Sequence, residues 1–454
     1  MLRVLRYLIV LGALIAAAVW LADHPGAVIL VWQGYRIDTS VAALVVAVAA
    51  VAATAALFYR LWVLVRRAPS DLSESWRLKR RQKGYQALTH GMVAVAAGDA
   101  EEARRQVKRA DGLLDEPPLT MLLKAQAAQL AGDEQAAAKF FTAMTENSGT
   151  EFLGVRGLLN QAMRRGETEK ALGFARRAYR LRPKSDWVAS VLFDLEARSR
   201  RWLDARSTAD EAGRRGLIAP EVGRRRKAVL ALELSREAKE RNISDEAIRR
   251  AREAHELAPD FVPATVALAS GLLDAGKGRR VTTLIEHTWH LSPHPDLVRL
   301  YGAALDVGDV LARVRATQRL IKLNPDHLES RLALAGAALQ AKLWGEARTA
   351  LSGVGDDPPA RVCRLMAELE ELEHGDHARA RAWLMRASLA DPDPAWVCDT
   401  CGNTVKDWGA LCAKCQNFDS FRWRTPPHVV ALAAPSTPAL PATTNQTLAP
   451  PADR

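Results

Sequence analysis

Apolar and polar positions follow three different rhythms along this chain. Near the N-terminus they come in blocks: Tyr7 to Ala22 is 16 residues without a charge, and Val41 to Tyr59 is another 19. A helix needs about 20 apolar residues to cross a bilayer. The second block qualifies alone, and the first does once Val4 and Leu5 extend it and Arg6 snorkels to the interface. Ala16-Ala17-Ala18 also fits a peptidase site, in which case the first block would be a removed signal peptide. Between the blocks His24-Pro25-Gly26 reads as a turn, and Val28, Leu30 and Trp32 take alternate positions, the period of a strand. A short ribbon or interfacial patch is expected there.

From about residue 84 to 392 the rhythm becomes helical and repeats. Pro259, Pro293, Pro325, Pro358 and Pro392 are 34, 32, 33 and 34 residues apart, and Pro183 precedes Pro259 by 76. Proline belongs just beyond a helix end, where it cannot continue the helix. Within each period a turn precedes small residues on one helical face. Gly166 leads to Ala171, Ala175 and Ala178; Gly98-Asp99 to Ala103 and Ala110; Gly132-Asp133 to Ala137 and Phe141. Ala247, Ala251 and Ala254 lead to Pro259, and Gly375-Asp376 precedes Ala380 and Ala387. Such positions let antiparallel helices approach closely, while Leu158, Leu192, Leu268 and Leu334 are expected to fill the seam of the preceding helix. The period resembles that of the tetratricopeptide repeat, although its signature Trp, Leu-Gly and Tyr positions are mostly missing. The fold class expected is all-α: two transmembrane helices, then a tetratricopeptide-type solenoid of about nine helical hairpins wound as a right-handed superhelix. The stretch 200–245 is the least regular.

The third rhythm is set by cysteine. Cys398-Asp-Thr-Cys401 and Cys412-Ala-Lys-Cys415 are two C-x2-C pairs with ten residues between them. Each pair delivers two sulfurs from one tight turn, and two such turns facing each other give four thiolates for a tetrahedral metal. Gly402 relaxes the first turn; Gln416 stands at the matching place in the second. Trp396, Trp408, Phe418, Phe421 and Trp423 surround the pairs. A unit of this size needs metal and aromatics to make a core. The cofactor expected is structural zinc on Cys398, Cys401, Cys412 and Cys415, and iron would use the same ligands. Four protein ligands leave no open position for catalysis. Cys363 reads as buried packing. The domains expected are a two-span anchor over 1–65, a basic juxtamembrane helix over 66–83, the solenoid over 84–392, the metal domain over 393–425 and a disordered Pro/Ala/Thr tail over 426–454.

Charge settles the surroundings. The chain carries +11, of which +6 lies between Arg60 and Lys83. Positive charge concentrated beside an apolar block attracts anionic headgroups, whereas nucleic-acid binding would spread it over a folded face; no nucleic-acid partner is expected. The cluster Arg224-Arg225-Arg226-Lys227 reads as a solvated helix face. Basic residues flank both outer ends of the two blocks, and the loop between is nearly neutral, so both termini and the solenoid are expected in the cytoplasm. His287, His290 and His294, and His374 with His377, read as ordinary surface or turn histidines. There is no phosphate-binding Gly-Lys-Ser/Thr loop, no dinucleotide fingerprint and no nucleophile elbow, so no enzymatic activity and no catalytic residue are expected.

The first 80 or so residues resemble the N-terminal domain of the HemY family of proteobacterial inner-membrane proteins. The residues that carry the likeness are Asp23-His24-Pro25-Gly26, Trp32, Gly34-Tyr35 and Ile37-Asp38-Thr39-Ser40. The resemblance implies an association with haem and porphyrin biosynthesis, without established catalysis. It is distinct from the flavin-dependent oxidase that shares the name, whose fingerprint is absent. The cysteine cassette looks like the rubredoxin-type domain of lipopolysaccharide assembly protein B. Three readings stay open: a scaffold at the membrane that binds proteins through the concave face of its solenoid, among them haem-pathway enzymes; an adaptor that presents an envelope or lipopolysaccharide-pathway enzyme to a protease; and a haem- or porphyrin-handling protein.

Overall fold

The computed structural model describes residues 26–32, 34–114, 117–305, 308–355 and 357–427, with isolated positions between 9 and 23. The first apolar block as a segment, His24-Pro25 and the tail beyond residue 427 lie outside the described residues. Two compact units are present, Met1–Gly149 and Thr150–Arg454.

In the first unit the expected ribbon forms. Strands β1 (Ala27–Trp32) and β2 (Tyr35–Ser40) pair antiparallel with Trp32 opposite Tyr35, and Gly34 closes the turn at φ 92°. The Ser40 hydroxyl then accepts from the Ala43 N–H at 3.3 Å and caps helix α1, Val41–Ala97. At 57 residues, α1 is about 85 Å long. Its first part, Val41–Val63, has a mean hydropathy of 2.6 and no buried residue in its apolar window. Among the described residues it is the one helix long and apolar enough to cross a bilayer. Exposed Val46, Val51, Leu57 and Phe58 give it the all-round apolar surface that lipid requires. Tyr59 and Trp62 sit beside Arg60 at its end, as interfacial aromatics do.

The same helix continues through the basic stretch, where Pro69 withdraws one rung of the hydrogen-bond ladder, and becomes the first helix of a hairpin. Gly84, Ala87, Gly91 and Ala94 share the face on which α2 (Ala100–Leu113) packs. A Cβ on Gly91 would stand 2.6 Å from Leu123 Cδ2 on α3, and one on Gly84 2.6 Å from Leu114 Cγ. Helices α3 (Pro117–Leu130) and α4 (Glu134–Met144) make the second hairpin. Both turns follow one plan. Gly98 and Gly132 take the left-handed conformation, and Asp99 and Asp133 cap the next helix by accepting from Glu102 and Ala136 N–H at 2.9 Å. Ala103, Ala110, Ala137 and Phe141 are buried as their spacing requires.

Among its described residues the second unit holds seven hairpins: α5 (Glu151–Arg164) with α6 (Thr168–Leu181), α7 (Asp186–Arg198) with α8 (Trp202–Arg214), α9 (Pro220–Glu240) with α10 (Ser244–Leu257), α11 (Val262–Asp274) with α12 (Gly278–Leu291), α13 (Pro295–Ala304) with α14 (Val310–Ile321), α15 (Leu328–Gln340) with α16 (Trp344–Ser352), and α17 (Ala360–His374) with α18 (His377–Leu389). Pro183, Pro259, Pro293, Pro325 and Pro392 fall just after second helices, whereas Pro358 stands just before α17. Buried alanines hold the close approach: Ala171, Ala175 and Ala178 on α6, Ala205 and Ala209 on α8, Ala251 and Ala254 on α10. Leu192 and Leu268 fill their seams as expected. On α5 and α15 the buried seam residues are Leu159 and Leu332, whereas Leu158 and Leu334 are half-exposed. Charged pairs link successive hairpins: Arg176 to Asp204 at 2.5 Å, Arg201 to Glu169 at 2.9 Å, Arg206 to Glu253, and Arg361 to Glu329.

The glycine face of α1 sets a test. Gly91→Leu forces α3 away from the helix, an overpacking cost of about 1–3 kcal/mol. Thermal unfolding of the membrane-reconstituted chain is expected to show a lowered midpoint, with faster amide exchange confined to residues 84–144.

Candidate metal centre and its seat on the helices

The polypeptide leaves α18 and forms a three-stranded sheet in the order β4-β3-β5, with β3 (Ala395–Cys398), β4 (Thr404–Val405) and β5 (Phe421–Arg424). Ten strand residues cannot enclose a core, and two cysteine turns complete it. The turns are near copies. Gly402 N–H donates to Cys398 O at 2.9 Å, and Gln416 N–H to Cys412 O at 2.8 Å. Cys398 N–H donates to Asn403 O at 2.8 Å, and Cys412 N–H to Asn417 O at 3.1 Å. Gly402 and Gln416 both take positive φ, 69° and 58°. Gln416 therefore adopts the conformation that its counterpart reaches without strain.

The turns aim four sulfurs at one point. Cys398 and Cys415 Sγ lie 3.7 Å apart, Cys401 and Cys412 Sγ 3.6 Å, and all four sulfurs fall within 4.8 Å of one another. Metal–sulfur bonds of about 2.3 Å in a tetrahedron give edges of about 3.8 Å, so the set can hold a metal ion. Cys398 and Cys412 are buried and Cys401 and Cys415 half-exposed. Burial opposes the Cys398 thiolate, but Ser420 Oγ at 3.2 Å and the N–H groups of Cys401 and Thr400 outweigh it and bring its pKa to about 6. At Cys412 burial again raises, and the N–H groups of Cys415 and Lys414 more than offset it, for a net lowering. Cys401 gains from the Asn403 N–H, yet burial and the three neighbouring sulfurs push its thiol up to about 12. Four thiolates this close repel one another; a bound cation is what allows all of them to ionise.

This small domain is seated on the helices. Its Trp396, Trp408, Phe421, Cys398 and Cys412 share one buried cluster with Phe193 of α7, Val229 to Leu232 of α9 and Phe261 before α11. Around that cluster lies a ring of arginines. Arg225 forms a two-pronged pair with Asp419 at 2.8 and 2.9 Å and lies 3.9 Å over the Phe261 ring. Arg226 lies 4.3 Å over Phe193, whose edge meets Phe418 at 5.1 Å. Arg236 donates to Trp408 O at 3.1 Å and stacks over its ring, and Trp408 meets Phe261 at 4.9 Å. A cleft of about 340 Å³ remains between the domain and the α9–α11 hairpins, bordered by Lys239, Ile248, Asp274 and Lys406.

Two expectations are corrected here. Arg225 and Arg226 are not a solvated face; they are the seat of the metal domain, because their planar cations can stack on aromatic rings while partly covered. His294 stands in the turn before α13, as expected of a turn histidine, but it is not on the surface. It is 2% exposed, wedged 4.3 Å from Trp423 and 5.7 Å from Trp396. Its Nδ1 accepts from the Asp296 N–H and caps α13, and burial lowers its pKa to about 4. His290 turns to Leu323 O and His287 meets His255, so these histidines do not converge on one point. His374 and His377 are exposed, and Cys363 is buried with its Sγ 3.5 Å from Pro358 O. The trace of the seat in the sequence is the irregularity of the stretch 200–245, where α9 has 21 residues and the other helices of this unit have 9 to 15.

Residues 26–132 match the family model for the HemY protein N-terminus. Probable magnetosome protein Mms48 of Magnetospirillum gryphiswaldense (strain DSM 6361 / JCM 21280 / NBRC 15271 / MSR-1) is 28% identical over 450 residues, 97% of this chain and 97% of that protein. Protein HemY of Escherichia coli (strain K12) is 27% identical over 157 residues, 34% of this chain and 39% of that protein. A solved tetratricopeptide repeat protein from Parabacteroides merdae ATCC 43184 aligns with a TM-score of 0.29 and 18% identity, covering 56% of this chain and 99% of that one. The resemblance to HemY proteins drawn from the N-terminal residues therefore holds.

Two measurements probe the centre. A metal ion held by the four thiolates is expected to be released on acidification, since protons compete for the sulfurs; a chromogenic chelator followed through an acid titration reads the release. For the seat, a double-mutant cycle on Arg225→Ala and Asp419→Ala is expected to return a coupling of about 1–3 kcal/mol in chemical unfolding of the second unit.

Proposed function

We propose that this HemY-related chain is a non-enzymatic adaptor of the bacterial inner membrane that gathers other proteins on its helical hairpins at the cytoplasmic face. One observation carries it: α1 runs from a bilayer-length apolar segment into the first helix of the first hairpin, so the repeats begin as an extension of the anchor. The basic residues nearest the end of the span, Arg60, Arg66 and Arg67, would meet anionic headgroups. Stacked hairpins offer extended side-chain surfaces suited to polypeptides. Zinc on Cys398, Cys401, Cys412 and Cys415 would be structural, since four sulfurs fill its coordination, and iron suits the same set. Enzymes of the haem pathway are the partners to which the HemY likeness points.

A second reading is favoured by the relative that spans nearly the whole chain, which carries the name of a probable magnetosome protein. On that reading the adaptor organises proteins on a membrane without any tie to haem synthesis.

Photo-crosslinking in intact cells from exposed positions on α15 and α17, followed by mass spectrometry, separates the two. Capture of haem-pathway enzymes, with porphyrin accumulation in a deletion strain, is the outcome expected of the first. Reproducible capture of other membrane-associated proteins with unchanged porphyrin levels would move the chain to the second. Crosslinks to lipid alone, or turnover of a substrate by the purified chain, would remove the adaptor reading.

A further inference from the structure

We propose that the surface made by α7, α9 and the start of α11 is a docking site for an acidic–aromatic segment of a partner protein, held closed in cis by the four-cysteine domain. This rests on the adaptor reading and adds to it a surface, a ligand class and a control.

The covered surface has the composition of a separable interface. Beside the apolar cluster shared with α9, Arg225 meets the domain through Asp419 and Arg236 through Trp408, while Phe193 and Phe261, stacked under Arg226 and Arg225, receive Phe418 and Trp408. Arginine and aromatic residues are the types enriched where partners dock. Half-buried ionisable groups also stand on α7 and α9. Burial raises the carboxyl pKa of Asp194 and Glu233 and lowers that of the Arg226 guanidinium. Covering such groups costs free energy that an uncovered surface would recover by hydration. The seal is also incomplete, for the cleft of about 340 Å³ remains at its margin, where a settled core would be close-packed.

The occupant in cis shows what the site takes. Phe418 and Asp419 are adjacent: the ring stands perpendicular to that of Phe193 and the carboxylate engages both prongs of Arg225. A partner segment with an aromatic residue beside a carboxylate reproduces both contacts. Metal governs the competition. Asp419 is held by its N–H to Ala410 O, and Phe418 by the bridge to Leu411, both built on the second cysteine turn. Losing the metal dissolves that turn and the presentation of Phe418 and Asp419 with it.

The test uses the full chain in lipid nanodiscs, by hydrogen–deuterium exchange and by binding of a fluorescein-labelled Phe-Asp repeat peptide, with a Phe-Lys repeat as control. Chelation is expected to raise exchange over residues 222–238 by about tenfold or more, leave residues 328–389 unchanged, and allow binding of the Phe-Asp peptide only. Asp419→Ala, which keeps all four cysteines, is expected to open the same residues while metal stays bound, and Arg225→Ala to abolish peptide binding in the chelated protein. Unchanged exchange over α9 after chelation, collapse of all seven hairpins together, or equal binding of both peptides would overturn the proposal. If the gating holds while in-cell crosslinking captures no protein, the adaptor reading fails instead; if partners are captured irrespective of metal, the gating alone fails.

Discussion

Close approach of paired helices is the constraint from which the rest follows. A hairpin of two helices of about a dozen residues cannot bury its apolar face alone, so it must stack on neighbours. Stacking of this kind requires small residues where backbones converge. The buried face is alanine on several second helices, Ala171, Ala175 and Ala178 on α6 and Ala247, Ala251 and Ala254 on α10, whereas α12 buries Val281, Ile285 and Trp289 there. Each alanine contributes little apolar area, so the stabilising burial comes from the leucines and aromatics opposite, such as Leu159, Leu192, Trp289 and Leu297. Glycine does the same for α1, where Gly84 and Gly91 admit Leu114 and Leu123 to distances that any side chain would block.

The four-cysteine domain meets the same shortage of core in two ways. Sulfur supplies an inner layer, since Cys398 and Cys412 are as buried as any leucine in the unit. The helices supply an outer one. Phe193, Phe261 and the α9 seam join Trp408 and Phe421 in one buried cluster. Arginine is suited to this boundary because its weakly hydrated plane can lie on a ring with one face while its edge holds a carboxylate. Arg225 does both at once, over Phe261 and against Asp419.

Local rules made much of this legible in the sequence. The turn glycines, capping aspartates and period-marking prolines each act within a few residues, so Gly98-Asp99, Gly132-Asp133 and Gly375-Asp376 announced their helices correctly. The cysteine turns were equally readable, because two sulfurs per turn is a property of four residues. What failed was long-range. Nothing near Arg225 or Arg226 indicates that Asp419 and Phe418, almost 200 positions later, return to cover them, and a run of cations with Glu221 beside it looks like a wet surface. His294 was misjudged for the same reason: its burial is supplied by Trp396 and Trp423 from another element. The seam leucines on α5 and α15 slipped by one and two positions, within the tolerance of a helical face read without its partner.

The first helix adds a geometric consequence. From Val63 to Gly84 the helix advances about 32 Å at 1.5 Å per residue, so the first hairpin starts well clear of an interface set near Tyr59 and Trp62. A helical connection fixes direction as well as distance, because one inserted residue would turn the face bearing Gly84 and Gly91 by about 100° relative to the span. A flexible linker would have left that orientation free. Pro69 is where this coupling is softest, since one backbone hydrogen bond is missing there. An anchor built in this way lets the bilayer dictate which way the first pair of helices faces, which a tether serving only to raise local concentration would not need.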